Sequence, residues 1–214
     1  MLDERIESFV EYFIQKKQYL SLKFDKKDEL EVPIKVRIKS RFKHQKRVDP
    51  RLDALDKYSG GQEIWHFYSK IKQAKLFSPR LFLHPPLIEF LSTSEMDKVT
   101  NYYKPNGKYA WKIDLNKSHK IYRSSDEWMV FALVEGGACL TIFLTGENAG
   151  SIYYLTSQPE FNILKPIAKS FGQLLTRIQK DPAKFLRLVR VTVTIDKKDG
   201  FSYGFVPIEY TIGG

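Results

Sequence analysis

A single cysteine, Cys139, stands in the 214 residues, so no disulfide can close within the chain. Nothing points to an oxidising compartment. No apolar run approaches the roughly 20 residues that a membrane-spanning helix needs. The opening MLDERIES lacks the basic-then-apolar order of a secretory signal. The expectation is a soluble cytoplasmic protein without a membrane partner. Short chemical motifs are missing too. His44, His66, His84 and His119 are scattered and make no ligand pair with one another or with Cys139. Cys139 lies inside an apolar run, with no turn or helix terminus to expose it as a nucleophile. Gly60 and Gly61 are not followed by Lys and Ser or Thr, and GENAG at 146–150 has no strand-to-helix context. Neither is a phosphate-binding loop. No catalytic residue, metal or cofactor is expected.

Charge of one sign is absent in two places. Residues 33–48 carry seven Lys or Arg and no carboxylate. Residues 124–164 carry five carboxylates and no Lys or Arg. With a net charge of +10 overall, the −5 of that second segment leaves +15 on the remainder. Such a balance favours acidic partners such as nucleic acid or an acidic protein, and it speaks to encounter rather than fold. The 43% of hydrophobic residues suffice for a sizeable core, so a single domain covering 1–214 is expected.

Leu2, Ile6, Phe9, Val10, Phe13 and Ile14 keep helical spacing, with acidic residues early and lysines late, and predict a docking helix. Val32, Ile34, Val36 and Ile38 then alternate with polar positions as a half-exposed strand, and Pro33 points to a sheet edge. If the strand persists, Lys35, Arg37, Lys39, Arg41 and Lys43 point the same way. Two readings stand for them: a surface that tracks phosphates, or an edge strand protected by cations against aggregation.

A short helix is predicted from 49 to 58, closed by Gly60 and Gly61, and a second from 62 to about 76. Residues 86–91 suit the start of another short helix. Ser94 with Asp97 resembles a capping box, and 111–115 alternates as a strand. The apolar runs 128–134, 138–144 and 152–155, joined by short connections, predict antiparallel hairpins covered on both faces. A helical stripe follows from Ile163 to Ile178, regular from about Lys165 because Pro166 is tolerated only in a first turn. Pro182 opens a further short helix. Residues 189–195, a turn at 196–200 and a return over 201–212 predict a terminal hairpin. The fold class expected is α+β, a mostly antiparallel central sheet flanked by helices.

Trp128 opening a buried strand, the glycine turn, the second apolar strand, Gly150 with Ile152 to Tyr154, and AKSFGQLL at 168–175 together resemble the SUKH superfamily. That family includes fungal cell-wall-assembly and glucan-synthesis regulators and bacterial immunity proteins. Leu55, Tyr58, Gly60 and Gly61 resemble its early helix and Gly-Gly turn. The second strand departs from the family, ending in Phe143 and Leu144 where many relatives place an acidic residue. The resemblance implies a core over 49–180, an N-terminal extension over 1–48 and a C-terminal helix and hairpin addition over 181–214. It also implies action by protein binding, most concretely as an immunity protein that neutralises a toxin domain. In that case Glu135 and Glu147 would present carboxylates to the toxin, with Tyr153 and Tyr154 as anchors or as core. The alternatives are a nucleic-acid-binding protein using 35–47 and a regulatory scaffold of cell-wall synthesis.

Overall fold

The structure, a computed structural model, describes residues 2–22, 34–79, 86–103, 127–156, 165–189, 191, 193–194, 205–206 and 208–212. Pro33, the expected strand at 111–115 and the turn at 196–200 lie outside them. In chain order the elements are α1 (Leu2–Gln15), β1 (Gln18–Leu22), β2 (Ile34–His44) and a 3-10 turn (Pro50–Leu52) running into α2 (Asp53–Asp56). There follow α3 (Gln62–Lys70), β3 (Ile71–Pro79), β4 (Ile88–Phe90), α4 (Thr93–Tyr103), β5 (Trp128–Val134), β6 (Ala138–Phe143) and β7 (Ile152–Leu155). Two helices, α5 (Phe171–Lys180) and α6 (Pro182–Leu188), precede β8 (Val193–Thr194), β9 (Phe205–Val206) and β10 (Ile208–Ile212).

The fold is α+β. Eight strands form one antiparallel sheet in the order β10-β1-β2-β3-β4-β5-β6-β7, and β8 pairs with β9 separately. Apart from β10, each strand lies beside its neighbour in sequence, which short connections favour. β1, β2 and β10 belong to the same sheet as the strands of 49–180, and the buried residues form one cluster. At its centre the rings of Phe67 (α3), Phe90 (β4), Phe131 (β5) and Phe171 (α5) meet at centroid distances from 5.1 to 6.0 Å. The amphipathic α1 closes this face, Phe9 stacking on Phe90 at 6.5 Å and Phe13 meeting Phe77 edge-on at 5.3 Å. Every residue of β6 and β7 is buried, so the apolar runs have cover on both faces, as their composition predicts.

Several local expectations are corrected. The helix from Gln62 stops at Lys70 and the chain passes directly into β3, although Lys72 to Leu76 are good helix formers. Pairing with β2 on one side and β4 on the other satisfies the β3 backbone and outweighs that propensity. Residues 88–90 are likewise a strand, Ile88 and Phe90 buried around Glu89. The capping carboxylate of α4 is Glu95 rather than Asp97: its Oε2 accepts from the Ser92 amide at 2.8 Å and from the Ser92 hydroxyl at 2.5 Å. Helix α5 begins at Phe171, not near Lys165, because Ile167 and Ala168 bond to Ile152 of β7 and Ser170 caps the helix by accepting from Gln173. Val189 closes α6, its amide donating to the Phe185 carbonyl, instead of opening a strand. The last strand leaves the hairpin and pairs with β1.

The final correction concerns β2. In the sheet order it is not an edge: β1 pairs with Ile34 to Ile38 on one side and β3 with Ile38 to His44 on the other.

Candidate functional site

β2 alternates as its sequence demands. Val36 and Ile38 are buried on the inner face, and Phe42 continues that side with its ring 6.1 Å from Phe9 of α1. Lys35, Arg37, Lys39, Arg41 and Lys43 are all exposed. The two register shifts against β3 place the extra residue on β3 each time, so β2 keeps its period. One shift falls where Leu76 and Phe77 together oppose Ser40, whose hydroxyl accepts from the Phe77 amide at 3.2 Å, and Phe77 takes a φ of 56°. That bulge lets both Leu76 and Phe77 face the core while the cations opposite stay aligned. At about 3.4 Å per residue, Lys35 to Lys43 extends over roughly 27 Å, with cations about 6.8 Å apart.

Directly paired residues of neighbouring strands share a face. Beside the cations lie Ser21 (opposite Lys35), Tyr19 (Arg37), Ser78 (Lys39), Lys75 (Arg41) and Gln73 (Lys43). Most are uncharged. Among the described residues, no ion pair involves Lys35, Arg37, Arg41 or Lys43. The register brings Glu209 of β10 to this face opposite Ser21, and further carboxylates enter toward the Lys43 end. There Glu89 sits 3.1 Å from Lys75 Nζ and accepts from Gln73 at 2.9 Å, while Glu95 also receives Gln73 at 3.3 Å. Burial pushes the Glu95 carboxyl up, but the Ser92 hydroxyl and amide, with Lys75 and Lys43, outweigh it and hold it below its ordinary value. It therefore stays ionised and flanks the ladder at Lys43. Gln73, Lys75, Glu89 and Glu95 carry no local signal of this role, since only the β2-β3-β4 register brings them to the cationic face.

The acidic turns are arranged differently. Glu135 begins the β5–β6 turn, which Gly136 and Gly137 complete with φ of 88° and 83°. Glu147 is exposed in the β6–β7 turn. Consecutive hairpin turns fall at opposite ends of the shared strand, so the length of β6, about 20 Å, separates the two carboxylates. They form no common patch. Tyr153 and Tyr154 are 2% and 6% exposed, so both are core rather than surface anchors. The Tyr153 hydroxyl donates to Asn148 at 3.0 Å, and burial raises its pKa.

Gly60 and Gly61 dock at this end of the sheet. The Gly60 amide donates to the Leu144 carbonyl at 3.2 Å, and a Cβ on Gly60 would lie 2.2 Å from the Phe143 carbonyl oxygen. Gly61 faces the Leu55 carbonyl equally closely. The Gly-Gly turn is thus a close approach of two backbones.

Cys139 is fully buried and its thiol is pushed far up by that burial, which leaves no thiolate for chemistry. His66 contacts Asp3 at 2.5 Å, and Lys70 also pairs with Asp3, pinning the start of α1 to α3. Lys70 and then His66 hold the Asp3 carboxyl below its ordinary value. Among the described residues, no three His, Cys, Asp or Glu side chains cluster to hold a metal, and no helix is long and apolar enough to cross a membrane. A cleft of about 380 Å³ between α5 and α6 is lined by Arg177, Lys180, Asp181, Lys184, Phe185 and Leu188. It holds no nucleophile with a base. Comparison with known proteins finds no matching family model, no similar curated protein and no similar solved structure.

Proposed function

We propose that this chain is a non-enzymatic binding module whose contact surface is the outward face of β2 and whose partner is a polyanion. The observation that carries the reading is the ladder itself: five exposed cations on one interior strand, four of them without an ion pair among the described residues. β1 pairs with Ile34 to Ile38 and β3 with Ile38 to His44, so protection of the other side of each length is the competing explanation for the pattern. The test is retention on immobilised heparin. Reversal of Arg37 and Arg41 to Glu should lower the eluting salt sharply. The same change at Lys57 and Lys98, exposed cations away from β2, should lower it only slightly. Equal losses would assign retention to net charge and defeat the reading.

A second reading rests on the SUKH-like order of β5, β6, β7 and α5, and the docking of Gly60 against the β6–β7 end supports it. It makes the chain a cytoplasmic immunity protein that neutralises a toxin by contact, or a scaffold in cell-wall synthesis. Glu135 and Glu147 would then touch separate parts of the partner. A toxin bound with unchanged affinity by Glu135→Lys plus Glu147→Lys rejects those turns as its site.

A further inference from the structure

We infer that the polyanion received by β2 is the phosphodiester backbone of a single-stranded nucleic acid, bound without regard to base; this rests on the proposal that the β2 face is the contact surface.

Shape argues for a single strand. The cations stand in one line about 6.8 Å apart, close to the distance between successive phosphates of an extended strand. The five side chains are exposed on one face of β2, with Ser21 and Gln73 buried beside its two ends. A duplex winds its phosphates away from such a line, and a track of roughly 27 Å along one strand meets it only where a backbone crosses. A flexible strand can follow the track and place one phosphate at each cation.

Charge argues for phosphates rather than protein carboxylates. An acidic polypeptide chain in extended form presents alternate side chains to opposite faces, so it matches the ladder only if acidic residues alternate over its whole length. A phosphodiester carries its charge at every repeat. The two arginines, Arg37 and Arg41, sit at the second and fourth of the five positions and supply the planar fork that grips two oxygens of one phosphate.

The ladder positions contain no aromatic residue, and the nearest, Tyr19 opposite Arg37, is half-buried. Stacking therefore contributes little, and bases are not distinguished. The ladder ends at Lys43 because β2 ends at His44; Glu89, abreast of Arg41 across Lys75, and Glu95, which accepts from Gln73 opposite Lys43, flank its last two positions. The site accordingly takes about five nucleotides, one per cation.

The test is fluorescence anisotropy of the full chain with labelled dT, dA and rU oligomers of increasing length, a duplex, and polyglutamate as competitor, each at several salt concentrations. Five phosphate contacts on a single strand give a slope of log K against log salt of about −3.5, a loss near a hundredfold between 0.05 and 0.2 M. Arg37→Gln with Arg41→Gln should reduce the slope to about −2.1, a loss near twentyfold over the same range. Lys57→Gln with Lys98→Gln should leave it unchanged. The three homopolymers should bind alike, and affinity should climb steeply only to about five nucleotides. Tighter binding to the duplex, a strong base preference, or a slope unmoved by the arginine pair overturns the inference. Binding of polyglutamate in place of the oligomers, lost with the arginine pair, sinks the nucleic-acid inference and leaves the charged-face proposal standing. If the control pair weakens binding as much as the arginine pair, both fall.

Discussion

Replacing Gly60 by alanine adds one methyl group where two backbones already touch. The new Cβ would lie 2.2 Å from the Phe143 carbonyl oxygen, 2.5 Å from the Gly150 nitrogen and 3.0 Å from the Leu144 carbonyl oxygen. All three neighbours are main chain, so no side chain can swing aside. The strand end has to retreat by roughly 1 Å, and overpacking of this kind costs about 1–3 kcal/mol. Retreat also stretches the Gly60–Leu144 hydrogen bond of 3.2 Å and the Gly150–Phe143 bond of 2.8 Å, each worth about 1 kcal/mol net. A total near 3–4 kcal/mol follows, which for a chain of this size lowers Tm by about 10 °C. Gly136→Ala is the comparator: nothing lies within 4 Å of its Cβ, but its φ is 88°. Only left-handed strain acts there, about 1–2 kcal/mol. Urea unfolding followed by tryptophan fluorescence ranks the two variants. A Gly60→Ala loss below about 1 kcal/mol, or one no larger than that of Gly136→Ala, refutes the docking of the Gly-Gly turn.

Two further outcomes follow from the buried and paired groups. Asp49 accepts from the Arg51 side chain, from the Thr93 hydroxyl at 2.5 Å and from the Arg51 amide, and these contacts hold its carboxyl well below its ordinary value. Its stabilisation is complete above the unfolded aspartate pKa, about 3.9, and is lost as the pH falls below that toward the folded pKa. Asp49→Asn should therefore flatten the acid limb of stability below pH ~3.9, measured by urea midpoints at successive pH values; an unchanged slope removes Asp49 from the acid response. Cys139 should react with an aromatic disulfide reagent only as fast as the protein opens, with a rate that rises with urea, since the native thiol is buried and its ionisation suppressed. Prompt stoichiometric labelling of the native protein contradicts that burial.

How much of this was legible depended on the range of the interaction. The runs at Trp128–Val134 and Ala138–Phe143 declare strands because a sheet covered on both faces needs apolar side chains at every position. The stretch after Lys70 does not declare itself: Ile71, Ala74 and Leu76 suit a helix, and only the partners β2 and β4 make it β3. Residues 165–170 fail as a helix for a similar reason, because Ile167 and Ala168 serve β7. In the candidate site, period two was enough to aim the five cations of β2 together. It could not say that β1 and β3 would take opposite sides of β2, or that β10 would return to pair with β1. The Gly60 contact joins residues more than eighty positions apart, and no local pattern reports it. The separation of Glu135 from Glu147, by contrast, follows from hairpin connectivity alone once the three strands are recognised.

The interior position of β2 changes what its charges mean. Neighbouring cations about 6.8 Å apart in water repel by about 0.6 kcal/mol, or roughly 0.3 after screening at physiological salt. Four such neighbours in a row cost about 1 kcal/mol. On an edge strand this cost would oppose pairing with other chains; β2 is interior in the sheet order, yet β1 covers only Ile34 to Ile38 and β3 only Ile38 to His44, so each length keeps a side on which the charges can act that way. Of the residues directly paired with the cations, Ser21, Tyr19, Ser78 and Gln73 carry no charge and Lys75 is engaged with Glu89, while Glu209 and Glu95 stand one element farther out. A polyanion bound there, as proposed, would relieve the repulsion. On that proposal each phosphate that docked would lower the cost for its neighbours, so the spacing that weakens the free protein would favour an extended ligand over isolated anions.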